Sequence, residues 1–151
     1  MVREANAIWK DGAYTGEGVI STASGILNNA TYVFGSPAGF TTHTSPGEML
    51  AAALASSMSR MVATEMAKVG IRPVQVETDA ALTLEFVSEM VRIVGTHLKI
   101  TARTADSDHG QFAEAVESAR RECPVCSILN IDVQCEAKLV SSTGPVLEIA
   151  G

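Results

Sequence analysis

No cluster of lysine or arginine occurs anywhere in this 151-residue chain, and its 11 basic side chains are outnumbered by 17 acidic ones. The net charge of −6 and calculated pI near 5.0 lack the basic footprint of a nucleic-acid binder, so that class is set aside. Nor is there an uninterrupted apolar run of about 18 residues, the minimum for a membrane-spanning helix. The first stretch, MVREANAIWK, carries charge where a secretory signal needs an apolar core, so a cytoplasmic location is expected. Cysteine is scarce as well: three residues in such a compartment suggest free thiols and not a disulfide framework. Internal repeats and low-complexity tracts are absent. What is present suffices for one domain over residues 1–151, because 46% hydrophobic content argues against disorder.

The stretch from Ser45 to Gly70 organises the rest. Ser45 is a good N-cap, Pro46 sits at the first helical position where its missing N–H costs nothing, and Glu48 completes a capping box. Gly70 supplies a left-handed stop. About 24 residues at a rise of about 1.5 Å make a rod of roughly 36 Å. Between Met49 and Val62 the only charge is Arg60, while Ala51, Ala52, Ala53 and Ala55 keep the rod thin. A helix that is apolar or small on every side is expected to be buried on every side. One chain of this length has too little sheet to wrap it, so a second copy is expected to cover the remainder.

Upstream, Trp9 and the Asp11-Gly12 turn signal predict a hairpin with the segment Tyr14 to Ser21. Ile20 to Asn29 reads as a strand running into a second turn, and Thr31 to Phe34 as a short strand. Downstream, Val74, Val76, Thr78, Ala80, Leu82, Leu84 and Phe86 share one face of a long half-buried strand. A second strand pairs with it around Val87 to Met90, and its inward parity changes from Val91 and Ile93 to Leu98, Ile100 and Ala102. A bulge near Gly95 accommodates that change. Asp106-Ser107-Asp108 caps a shorter helix from about His109 to Arg121, Cys123-Pro124 starts a helical turn to Leu129, and Ile131 to Leu139 alternates as a last strand. The order predicts an α+β fold with antiparallel pairing.

Cys123-Pro124-Val125-Cys126 is the most chemically loaded stretch. Pro124 at a helix start places Cys123 near the N-cap, where the dipole and free amides favour a thiolate, and Cys126 follows one turn later. A thioredoxin-like pair needs a preceding strand, and here a helix precedes. Zinc needs Cys135 as a third ligand, and no second closely spaced pair exists. Beside these stands the reading that both thiols are small buried residues. Ser57 as a hydrolase nucleophile needs a base, and His43, His97 and His109 are poorly placed for it. No cofactor and no metal are expected.

Three segments in register carry a resemblance: Gly18 to Asn28 (GVISTASGILN), Ser45 to Ala53 (SPGEMLAAA) and Glu122 to Val125 (ECPV). Together they resemble the OsmC/Ohr family of osmotically induced and organic-hydroperoxide-resistance proteins. The resemblance implies an intertwined homodimer whose antiparallel sheets wrap two long central helices, with sites at the subunit interface. It also implies a peroxide-reducing site: a cysteine on the central helix, an arginine and a glutamate beside it, and a resolving cysteine in a Cys-Pro motif. Cys123 occupies the resolving position. The helical cysteine falls on Ser57, the glutamate on Gly47 with Glu48 at the neighbouring acidic position, and the arginine on Pro37. A serine hydroxyl forms no sulfenic acid, so the family mechanism does not carry over through Ser57.

Two functions follow. In the first, the protein reduces organic hydroperoxides with Cys123 attacking and Cys126 resolving, and a dithiol reductant closes the cycle. In the second, it is a non-catalytic module binding an apolar small molecule at the dimer interface, around Pro37, Gly47 and Glu48. Both expect a homodimer. Sedimentation at micromolar concentration should give the dimer mass, and a stable, well-folded monomer would contradict the burial argument for the helix.

Overall fold

The computed structural model describes residues 1–13, 15–33, 43–105 and 108–142. Two compact units, 1–50 and 51–151, divide inside the long helix. Strands β1 (Ala5–Lys10), β2 (Glu17–Thr22) and β3 (Ala30–Tyr32) form an antiparallel sheet in that order within the first unit. Gly18 pairs with both Trp9 and Tyr32. A side chain at Gly18 would meet the Tyr32 ring at 2.3 Å, so its absence is what lets that ring lie across β2. Trp9 tilts against Tyr32 with ring centroids 5.7 Å apart and donates its indole N–H to the Gly12 carbonyl at 2.7 Å.

The segment Ile20 to Asn29, expected as a strand running into a turn, is strand as far as Thr22 and turn beyond it. Hydroxyls intervene: Ser21 Oγ accepts from the Asn29 amide and Thr22 Oγ1 from the Leu27 amide, while the Thr22 amide donates to the Leu27 carbonyl. Such local bonds compete with the ladder and close a turn instead. Phe34, the end of the expected third strand, and Tyr14 lie outside the described residues, as do the Asp106-Ser107 part of the expected cap and the tail from 143.

Helix α1 (Pro46–Lys68) begins and ends as its caps dictate. The Glu48 amide donates to Ser45 Oγ at 3.2 Å, while the Glu48 carboxylate accepts from Thr44 Oγ1 at 3.1 Å. Gly70 has φ 83°, and the Ile71 amide reaches back to the Met66 carbonyl at 2.9 Å, the six-to-one bond of a Schellman stop. Within one chain α1 buries a stripe, Leu54, Met58, Met61, Val62, Glu65 and Met66. Burial on every side is therefore not what a single copy supplies: Ala52, Ala53, Ser56 and Arg60 are exposed. An alanine-rich rod does not record which side its own chain covers.

In the second unit β4 (Pro73–Val87) and β5 (Met90–Thr104) make a long antiparallel hairpin. Ser88 and Glu89 turn it with φ of 50° and 66°. The register passes from Thr83↔Gly95 to Leu84↔Ile93, leaving Val94 as the extra residue where the parity change was expected. Helix α2 (His109–Glu122) is capped by Asp108, whose carboxylate accepts from the Gln111 amide at 2.9 Å. A single 3₁₀ turn (Cys126–Ile128) then leads to β6 (Val133–Ser141). This strand departs from the expected antiparallel pairing, because it runs parallel to β5. The reason is connectivity: the chain leaves the end of β5, crosses over through α2 and re-enters the sheet in the same direction. Sheet order β4-β5-β6 puts Leu98, Ile100 and Ala102 of β5 at the centre of the core, with the α1 stripe and Phe112, Ala115, Val116 and Ala119 of α2. The far half of the hairpin is uncovered in one chain, with Phe86 82% and Met90 57% exposed.

An added Cβ at Gly70 meets nothing within 4 Å, so any cost of replacing it is a backbone cost. Gly70→Ala is expected to lower stability by about 1 kcal/mol, read as a shift in denaturant midpoint at unchanged slope. An unchanged midpoint would show that the left-handed stop does not constrain the end of α1.

Candidate active site

Glu122 ends α2, and Cys123 turns the chain with extended backbone (φ −67°, ψ 114°) before Pro124. That turn drives the Cys123 side chain inward to full burial. The Ser57 hydroxyl, from the middle of α1, lies 3.4 Å from the Cys123 sulfur. From the other direction the Cys126 amide donates to the same sulfur at 3.3 Å, and the Cys123 carbonyl accepts from the Ser127 amide at 3.0 Å. The expected start of a helical turn at Cys123 is not found: Cys123 is the C-cap of α2, Val125 is the N-cap of the single 3₁₀ turn that follows, and the Cys123 sulfur joins that turn only by accepting from the Cys126 amide. The macrodipole of a single turn is small, and discrete hydrogen bonds do the stabilising.

Burial opposes ionisation of Cys123. Hydrogen bonds from the Cys126 thiol, the Ser57 hydroxyl and the backbone at Cys126 and Val125 outweigh it, so the thiol ionises below its ordinary value. Cys126 is driven the opposite way: burial, then its hydrogen bond to Cys123 and the negative charge of that sulfur, push it up to about 12. Burial also raises Cys135, with Arg120 acting against it. The result is a pair shifted in opposite directions, Cys123 toward ionisation and Cys126 away from it.

The other sequence candidates are distributed elsewhere. Gly47 and Glu48 belong to the first turn of α1, where the Glu48 carboxylate is engaged by Thr44. Pro37 lies outside the described residues. His97 faces Glu136 across β5 and β6 at 3.5 Å, and the hydrogen bond drawn for Ser57 runs to a thiol and not to a base. Among the described residues no group of three or more His, Cys, Asp and Glu side chains could hold a metal ion. One buried charge escaped notice in the sequence. Glu65 accepts from Lys68 at 2.6 Å and Ser118 at 3.0 Å, which together hold its carboxylate below the usual range against the opposing effect of burial. Its place four residues after Met61 and one before Met66, within the buried stripe, is the signal that could have found it.

The fold is shared with proteins of one kind. It matches the organic hydroperoxide resistance protein OhrB of Bacillus subtilis with a TM-score of 0.67 at 20% identity, covering 91% of this chain and 98% of that one. An OsmC-like protein of Vibrio cholerae gives 0.74 at 16% identity, with 91% and 99% coverage. In sequence the chain is 27% identical to the peroxiredoxin OsmC of Escherichia coli over 139 residues, 92% of this chain and 97% of that protein. Residues 39–138 match the OsmC-like protein family, and the chain belongs to it.

The two perturbed thiols make a pH prediction. Cys123, lowered in the folded state, contributes stability that is complete above the unfolded thiol value and is lost as pH falls through its folded value. Cys126, raised in the folded state, contributes stability that is complete below the unfolded value and is lost as pH climbs toward about 12. Urea unfolding followed upward from about pH 9 should show stability declining, and Cys126→Ser should remove part of that decline. An identical alkaline slope in the variant would contradict the environment described for Cys126.

Proposed function

We propose that this OsmC-like protein reduces organic hydroperoxides with Cys123 as the attacking thiolate and Cys126 as the resolving thiol. The observation that carries this reading is the pairing of a buried, ionisation-prone Cys123 with a Cys126 that holds its proton, one turn apart. The Cys123 sulfur attacks the terminal peroxide oxygen, the O–O bond breaks, and the departing alkoxide takes a proton to leave as the alcohol. Cys123 is then a sulfenic acid. The Cys126 sulfur attacks it, the S–O bond breaks, and the Cys126 proton leaves with the hydroxide as water. A dithiol reductant restores both thiols and becomes a disulfide itself. Full burial of Cys123 favours a small or apolar oxidant over a protein-sized one. The E. coli relative's name as a peroxiredoxin supports the reaction class.

The same reading includes a homodimer, for which the exposed Phe86 and Met90 and the alanine face of α1 are the supporting features. It places the protein in the cytoplasm, in keeping with a thiol cycle and with the lack of any helix among the described residues long and apolar enough to cross a membrane. A second reading, the non-catalytic module, draws on the open recess of ≈ 350 Å³ lined by Trp9, Ala13, Tyr32 and Pro46. An apolar ligand that copurifies with the protein and stays bound in a cysteine-free variant would favour it.

Peroxide consumption with an organic hydroperoxide and a dithiol should fall to background in Cys123→Ser. In Cys126→Ser a single fast turnover should survive while the steady-state rate drops by about tenfold or more. Equal consumption by wild type and Cys123→Ser would overturn the proposal.

A further inference from the structure

Serines inside a helix usually satisfy their hydroxyl on the preceding turn. Ser56 does this, donating to the Ala53 carbonyl at 3.1 Å, and Thr64 donates to the Arg60 carbonyl at 2.9 Å. Ser57 does not follow them. Its hydroxyl is directed across the core to Cys123, 66 positions further along the chain. The two ends of this contact are firmly held. Ser57 sits between Leu54 and Met58, neither with any exposed surface, and Cys123 is fully buried with its sulfur held by the Cys126 amide. While Cys123 carries its proton, either group can be the donor. Once the sulfur is a thiolate it has no proton to give, and the hydroxyl alone must donate.

We infer that Ser57 is a positioning residue for the Cys123 sulfur: its hydroxyl donates to the thiolate from α1 while the Cys126 amide donates from the chain's own turn. Two donors from independent segments restrain the sulfur in two directions, so it is presented in one orientation. The hydroxyl cannot be oxidised as a thiol there would be, so it supports the nucleophile without competing for oxidant. This deepens the reading of Cys123 as the attacking group and rests on it for its catalytic consequence.

The test separates the two claims. In a Cys126→Ser, Cys135→Ser background only Cys123 titrates as a thiol, and its thiolate is followed by ultraviolet absorbance as pH is raised, with Cys123→Ser as the blank. Adding Ser57→Ala should move the midpoint upward and cut the thiolate fraction at neutral pH by about tenfold or more, as expected for the loss of one hydrogen bond to a charged group. Ser57→Thr, which keeps a hydroxyl, should stay close to Ser57. In the three-cysteine protein, Ser57→Ala should slow hydroperoxide consumption at neutral pH and recover much of the rate as pH rises. An unmoved midpoint overturns the role of Ser57 even if Cys123-dependent consumption is intact. Equal shifts in Ser57→Ala and Ser57→Thr overturn it too, because packing and not the hydroxyl would then be responsible. A shifted midpoint rescued by threonine, in a protein that consumes no peroxide, upholds the hydroxyl's hold on the sulfur and sinks the proposed reaction instead.

Discussion

A negative charge on sulfur inside an apolar core is costly unless hydrogen bonds replace the water it has lost. At Cys123 that exchange is made: burial argues for the neutral thiol, and the donors from Ser57, Cys126 and Val125 reverse the outcome. At Cys126 burial is reinforced by the Cys123 sulfur and pushes the thiol up to about 12. One environment thus shifts two neighbouring thiols in opposite directions, and at Cys123 it does so through uncharged donors.

The architecture exists to bring distant segments to this point. α1 is long because its caps allow it to run from Pro46 to Lys68, and it buries one stripe of its side chains. Three polar links tie it to its surroundings in the second unit: Ser57 to Cys123, Ser59 to Thr78 on β4, and Glu65 to Ser118 on α2. The crossover that makes β6 parallel to β5 also sets the end of α2, and so the position of Cys123. A shift of the helix by one residue would break all three links together, which is why the hydroxyl–sulfur geometry is a property of the fold and not of one side chain.

Local chemistry was legible in the sequence, and direction and partnership were not. The caps of α1 could be read because Ser45, Pro46, Glu48 and Gly70 act on their own neighbours. The β4–β5 hairpin and its parity change near Gly95 could be read because a period of two is a strong signal. Strand alternation is the same in either direction, so the parallel course of β6 left no trace in Val133 to Ser141. The turn within Ile20 to Asn29 could be read, but its start after Thr22 could not, because it is set by hydroxyl bonds from Leu27 and Asn29 to Thr22 and Ser21. Within the site, the Cys-Pro-Val-Cys spacing disclosed the turn, but nothing local to Ser57 points to Cys123. Only the family resemblance set those two positions opposite each other, and the geometry that results is a hydroxyl on a thiol.

The central claim is that Cys123 and Cys126 form the working couple of this protein. Its most direct test is to treat the reduced wild-type chain with one equivalent of an organic hydroperoxide, block remaining thiols, and map the products by mass spectrometry. The account predicts a single disulfide within the chain between Cys123 and Cys126, with Cys135 recovered as the blocked thiol. Recovery of all three cysteines as blocked thiols, or a disulfide that joins Cys135 to either of the others, would contradict it.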